Sequence, residues 1–246
     1  FSKPVNLITV FFFIILFVLI AYPLYAVLSS SVTMGQKDSM MYNSPFKQQL
    51  KKGDFSWNNF SMLLSGKYTT DYSRALFWKP LFNSIMMSAY ASIISIIVGG
   101  VIAFLITRTD VRFKKFISSV FIFPYLMPSW TLALVWKNVF INSSVGNGIT
   151  GWFEAVTGIC VPQWFVYGMF PCAIILGIHY APFAYILVGG VLRNMEANLE
   201  EAATILKADR LRIIRKITLP IVLPSMISTL LLVFSSSMAS FSTPNF

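Results

Sequence analysis

The sequence predicts an all-α, polytopic membrane protein, and three observations carry that expectation. Hydrophobic residues make up 56% of the 246-residue chain and charged residues only 11%, against roughly 25% charged in a soluble domain. Several apolar runs reach the roughly 18 or more residues needed to cross a hydrocarbon core of about 30 Å. Of the 19 bases, ten gather in two short loops between those runs and seven lie in the longer polar segment 29–79. That placement suits loops lying near anionic lipid better than a nucleic-acid surface.

The spans follow in order. Residues 1–28 hold the first, "VNLITVFFFIILFVLIAYPLYAVL" from Val5 to Leu28. Its apolar core is too long for a signal-peptide h-region, and no clean small-residue cleavage site follows it. Residues 29–79 form a polar, mixed-charge loop, in which "FSWNNFSMLLSG" is expected to be a short amphipathic surface helix. The second span covers 80–107, with Pro80 placed at a first helical position, where its missing N–H costs nothing, and Gly99 and Gly100 allowing a neighbouring helix to come close. The third covers 116–140, and Pro124 and Pro128 should kink it. A Gly- and Asn-rich loop follows, with Trp152, Trp164 and Tyr167 suited to an interfacial belt. The fourth span covers 165–192 and the fifth 220–241, separated by a charged segment, 193–219.

Orientation rests on the short loops. Arg108, Arg112, Lys114 and Lys115 crowd one, and Arg193, Lys207, Arg210, Arg212, Arg215 and Lys216 crowd another, whereas 141–164 carries no base. The positive-inside rule makes the first two cytoplasmic and the third external, which puts the N-terminus in the cytoplasm. Cys160 and Cys172 lie outside any C-x-x-C pattern, so a zinc or redox site is not expected. They read as separate thiols, with a disulfide open if both face outside. His179, the lone histidine, reads as a packed, hydrogen-bonded residue before a ligand or proton relay. The chain starts at Phe1 and ends "SFSTPNF" with no charged stop, and it reads as a fragment.

The charged interruption "NLEEAATILKADR", Asn198 to Arg210, carries the most information. Leu199, Ala202, Ala203 and Leu206 fall at i, i+3, i+4 and i+7, one face of a helix. Asn198 suits an N-cap, and Glu200 and Glu201 suit the positive end of the helix dipole. The alanines make part of that face shallow, so another surface can approach. Leu211, Ile214 and Ile217 then repeat at three-residue steps, a second short helix, before "TLPIVLP" turns the chain back into the bilayer. On periodicity alone the segment reads as an interfacial helix with snorkelling bases; docking of a soluble partner is the sharper reading.

Here the sequence resembles a known family. "EEAATILKADRLRIIRKITLPIVLPS", Glu200 to Ser225, is similar to the EAA loop of permease subunits in binding-protein-dependent ABC importers. Glu201, Ala202 and Ala203 fit the Glu-Ala-Ala of that pattern, and Ile217, Leu219 and Pro220 fit its hydrophobic-x-Leu-Pro close. Lys207 stands where the family usually has glycine. Since Asp tolerates the left-handed conformation better than Lys, the turn is expected to have shifted toward Ala208-Asp209. "NSIMMSAYASIISIIVGGVIAFLITR", "FPYLMPSWTLALVW" and "YAPFAYILVGGVLRNMEANLEEAA" resemble the family's core helices in the same order.

The resemblance implies the type I ABC importer permease fold over 80–246, in a prokaryotic cytoplasmic membrane. It implies a subunit that is not an enzyme, binds no cofactor or metal and leaves ATP to its partner. The implied partners are a cytoplasmic ABC ATPase dimer, a second permease domain or fused second half, an extracytoplasmic solute-binding protein and membrane lipid, with no nucleic acid. Glu200, Glu201, Ala202, Ala203, Leu206, Lys207, Ala208, Leu219 and Pro220 would couple to the ATPase. Asn83, Ser84, Ser88, Ser228, Ser235 and Ser236 would line the pathway for a polar solute, with hydrogen bonding within and between helices as the competing reading. The ending "FSTPNF" resembles an F-x-x-P segment of permeases for ferric iron, polyamines, phosphonates and thiamine. It points to ferric iron, with those other solutes or a sugar as alternatives, and a further helix is expected after Phe246. An ion-gradient-driven carrier is the rival class, and the absence of acids within the spans speaks against a carboxylate relay.

Overall fold

The computed structural model describes residues 4–33, 53–57, 60, 63–64, 73–195, 203–205 and 207–245. Four helices are long and apolar enough to cross a membrane, or five if one bent pair counts as a single span. The chain divides into two compact units, Phe1–Leu81 and Phe82–Phe246.

In the first unit, α1 is Pro4–Val32. Its most apolar window is wholly exposed, as fits a helix whose solvent is lipid. Ser29, Ser30 and Ser31 at its end donate back to the carbonyls of Ala26, Val27 and Leu28 at 3.1, 2.9 and 2.8 Å, so the hydroxyls are satisfied without water. Half of the residues of the expected amphipathic helix fall outside the described residues. Phe55 pairs with Thr33 in an isolated antiparallel bridge, and the Ser56 amide donates to the Val32 carbonyl at 2.8 Å. Pro80 is not a helix start: a π turn, Arg74–Trp78, leads without a break into α2, Lys79–Arg108. The Lys79 N–H reaches five residues back to the Arg74 carbonyl. Widening the coil ahead of a proline, which has no N–H and whose ring crowds the carbonyl four residues back, lets the helix continue past it.

The second unit continues with α3 (Lys114–Leu126), α4 (Ser129–Phe140), the short α5 (Trp152–Thr157) and α6 (Gln163–Val166), α7 (Met169–Asn194), α8 (Arg210–Met238) and α9 (Ser242–Asn245). The centre is α7. In the most apolar stretch of Gln163–Asn194, 61% of the residues are buried, against 22% in that of α8. Small residues let α2 approach α7: Ser88, Ala91, Ser92, Ser95, Gly99 and Ala103 are buried at three- and four-residue spacing. A Cβ on Gly99 would stand 2.3 Å from the Ala181 carbonyl oxygen, so any side chain there would force the helices apart. Around this seam Ala103, Tyr185, Val188, Leu192 and Val222 form one apolar cluster, and Met87, Ala91, Ala173 and Leu176 another.

Two expectations need correction. The third span is not a kinked helix but two helices, α3 and α4, meeting at 98°. Pro124 sits inside α3, and the break is at Met127 (ψ 146°) and Pro128 (ψ 138°). Proline drives the residue before it out of the helical region, so Met127 ends α3. The second short helix of the charged segment is also not separate. Arg210–Ile213 passes through a second π turn, Ile214–Thr218, into Leu219–Met238, with the Leu219 N–H on the Ile214 carbonyl. The proline-bypass device of Pro80 is repeated at Pro220, and the last long apolar helix starts ten residues before the expected 220, at Arg210.

Candidate coupling and translocation site

Of the expected coupling residues, Glu200, Glu201, Ala202 and Leu206 lie outside the described residues. Ala203 and Ala208 are half-buried, and Lys207, Leu219 and Pro220 are exposed. The turn has not shifted: Lys207 itself is left-handed, with φ 59°. The Lys207 N–H donates to the Thr204 carbonyl at 2.9 Å and the Ala208 N–H to the Ala203 carbonyl at 3.0 Å. That pair of bonds is a Schellman helix end, usually built on glycine. The left-handed conformation costs a non-glycine residue about 1–2 kcal/mol, and two backbone bonds of about 1 kcal/mol each offset it. Asp209, where the turn was expected, is extended (φ −65°, ψ 146°) and precedes α8. The turn leaves Ile205 81% exposed, an apolar knob on the segment joining α7 to α8.

One residue of this region was counted in the sequence only as a loop charge. Arg108, at the end of α2, donates through Nη2 to the carbonyls of Leu192 at 3.1 Å and Met195 at 3.3 Å. The last carbonyls of a helix lack intrahelical partners, and a guanidinium there also meets the negative end of the dipole. Arg108 thus ties α2 to the point where α7 hands over to the charged segment. A base closing a helix was a visible signal; which helix it would hold was not.

The pathway candidates do not form one surface in this chain. Ser88 is fully buried on the seam-facing side of α2, and its hydroxyl has no hydrogen-bond partner among the described residues. Asn83 is exposed and Ser84 half-buried. On α8, Ser228, Ser235 and Ser236 are exposed, with Ser228 and Ser235 seven residues apart on one face. The Ser228 hydroxyl donates to the Pro224 carbonyl at 3.0 Å, and that of Ser225 crosses to the Leu187 carbonyl at 3.3 Å. These two bonds are of the kind the competing reading named.

His179 is packed and bonded, as the sequence suggested, and its bond explains the broken span. In a continuous helix the Pro124 carbonyl would accept the N–H of residue 128, which is proline and has none. The His179 Nδ1 lies 3.0 Å from that carbonyl. A carbonyl only accepts, so Nδ1 carries the proton. Tyr125 lies beside the ring, 5.8 Å between centroids.

At the other end of the unit, Asn142 is buried and donates to the Val161 carbonyl at 2.8 Å. The Trp136 indole donates to the Phe165 carbonyl at 3.0 Å. Glu154 accepts from the Ser143 hydroxyl at 2.6 Å, the Ser143 amide at 2.9 Å and the Cys160 thiol at 3.2 Å. The Ser143 contacts, then the thiol, hold its carboxyl below the usual carboxylate range. Both cysteines are free thiols. Trp152 and Trp164 are exposed, and the Lys137 ammonium sits 5.9 Å from the Tyr167 ring centre.

Comparison with known proteins bears on what this arrangement does. Residues 91–246, more than half of the chain, match the family described as binding-protein-dependent transport system inner membrane component. The chain is similar to a ferric transport system permease protein of Actinobacillus pleuropneumoniae, 28% identical over 167 residues, covering 68% of this chain and 24% of the relative. It is similar to a galactooligosaccharides transport system permease protein of Bacillus subtilis, 24% identical over 231 residues, covering 92% and 53%. A sulfate transport system permease protein of Salmonella typhimurium is 29% identical over 178 residues, covering 69% and 61%. The chain therefore spans between about a quarter and three fifths of the length of these relatives. All-helical, multi-pass and matched over its whole second half, the chain belongs to the inner-membrane permease family of binding-protein-dependent ABC importers.

Proposed function

We propose that the chain forms part of the translocation pathway of an ATP-driven solute importer and takes the power stroke from a cytoplasmic ATPase through the 193–219 segment. In this reading the N-terminus lies in the cytoplasm, a second permease domain completes the pathway, and an extracytoplasmic binding protein delivers the solute. The observation that carries this reading is mechanical. The segment with the exposed Ile205 leads straight into α8, which runs unbroken from Arg210 to Met238. Its other end leaves α7 beside the carbonyls held by Arg108. A push there is transmitted to both helices as rigid levers, as alternating access requires.

Glu201 supplies a charge for a base on the ATPase, and Ala203 permits close approach. Glu201→Lys or Ala203→Asp is expected to abolish uptake while the chain stays in the membrane and the ATPase no longer co-purifies. Normal transport by both variants would remove the docking role. For the solute we favour ferric iron, on the "FSTPNF" ending and the named ferric relative. The galactooligosaccharide relative covers more of the chain and makes a sugar the second reading. Calorimetry of the cognate binding protein with ferric iron, oligosaccharide and sulfate decides among them.

A further inference from the structure

We propose that a basic crevice between α3 and α7 holds the phosphate of an anionic phospholipid headgroup. The crevice has a volume of about 590 Å³ and is lined by Lys114, Lys115, Ser118 and Ser119 of α3 with Tyr185 and Arg193 of α7. The crevice is open to the surface and larger than a bare phosphate fills, which suits a glycerophosphate headgroup.

The donors are held in place. Tyr185 is 2% exposed, and its hydroxyl lies 2.8 Å from the Ser118 hydroxyl. Arg193 donates to the same Tyr185 oxygen at 3.2 Å. That contact uses one of the five guanidinium N–H groups and anchors Arg193 at the crevice wall. Three cations converge there. Among the described residues, the acid that pairs with them is Asp110, which meets Lys114 at 3.7 Å from a fully exposed position, a weak pair in water. The crevice also meets the start of α3, whose cap residue Phe113 makes no side-chain bond to the first-turn N–H groups, so the helix dipole adds to the attraction for an anion.

A second observation selects a lipid over a soluble anion. Beside Lys115 and Ser119 runs an exposed apolar stripe, Phe116 (69%), Val120 (55%) and Phe123 (55%), at i, i+4 and i+7. Headgroup in the crevice and acyl chain along the stripe use both features, and a free phosphate uses only the first. Basic pockets between membrane helices recognise anionic headgroups in this way. The inference does not depend on the solute or on which face is cytoplasmic.

The test uses the full-length chain, purified with whatever subunits accompany it, in mixed micelles of phosphatidylglycerol and phosphatidylcholine, with bound lipid read by native mass spectrometry. Phosphatidylglycerol is expected to be retained over phosphatidylcholine. Retention should fall about fivefold in Lys115→Gln and again in Arg193→Gln, and stay near wild type in Lys115→Arg and in Lys137→Gln at the far end. Equal retention of the two lipids, or unchanged retention in Lys115→Gln with the complex intact, would overturn the proposal. So would displacement of phosphatidylglycerol by inorganic phosphate as readily as by added phosphatidylglycerol, which would assign the crevice to a soluble anion.

Discussion

Lys207 shows how a single side chain can stand in an unfavourable conformation without disturbing the element around it. The turn needs a left-handed residue, and two backbone bonds close only if position 207 supplies it. Moving the turn one residue would give up both bonds, at about 1 kcal/mol each, to save 1–2 kcal/mol of strain. The balance is near zero, so the turn stays where the family pattern puts it. Lys207→Gly is expected to slow amide exchange at 207 and 208, because glycine meets no Cβ penalty at φ 59°. Lys207→Val should speed exchange, since a branched Cβ is worse placed than that of lysine. Faster exchange in the glycine variant would mean that the lysine side chain itself holds the turn.

At the scale of elements, prolines decide how each helix continues, and they do so in two ways. Pro80 and Pro220 are each preceded by a π turn, and the helix passes through. Pro128 is preceded by the extended Met127, and the helix breaks by 98°. The carbonyl freed at Pro124 is met by His179 from α7. A buried carbonyl left without a donor costs about 1–3 kcal/mol, so His179→Ala should destabilise the chain by that order. In a Pro128→Ala background the new N–H at 128 can take over the Pro124 carbonyl, and His179→Ala should then cost less. A double-mutant cycle by thermal unfolding measures the coupling. Strict additivity would show that His179 and Pro128 act independently. In the single Pro128→Ala variant, spin labels at the exposed Val120 and Val135 should also report a more open angle.

At the scale of the whole molecule, the two ends of the membrane core are held by different chemistry. At one end the Arg108 guanidinium closes α7. At the other the loop leaving α4 is fastened by Glu154, whose carboxyl titrates. The lowered value means that folding favours the ionised form. That contribution is fully present above the ordinary glutamate value of 4.5 and is lost as pH falls through the lower folded value. Amides at 143 and 158–160 should therefore lose protection below about pH 4.5, before those of α7, and Glu154→Gln should show the loss already at neutral pH. An acid response starting in α7 instead would place the first weak point in the core.

How much of this was legible beforehand follows from the range of the forces involved. Composition and run length determine an all-helical membrane protein, since a chain this apolar must satisfy its backbone within each span. Local chemistry also marked a disturbance of the helix near 124–128, though as a kink and not a break, and the closeness allowed by Gly99. What local chemistry could not supply was the partner of each freed group. Whether a proline bends, widens or breaks a helix depends on which donor reaches the orphaned carbonyl, and for Pro124 that donor lies 55 residues away on α7. The same holds for Arg108, whose carbonyls lie 84 and 87 residues on, and for Ser88, drawn into the α2–α7 seam by the small residues around it. The sequence by itself determined the all-helical membrane class and the family. Only the tertiary structure decided where α8 begins, which residue takes the left-handed turn and how the third span is broken, because each is settled by a hydrogen bond closed in three dimensions.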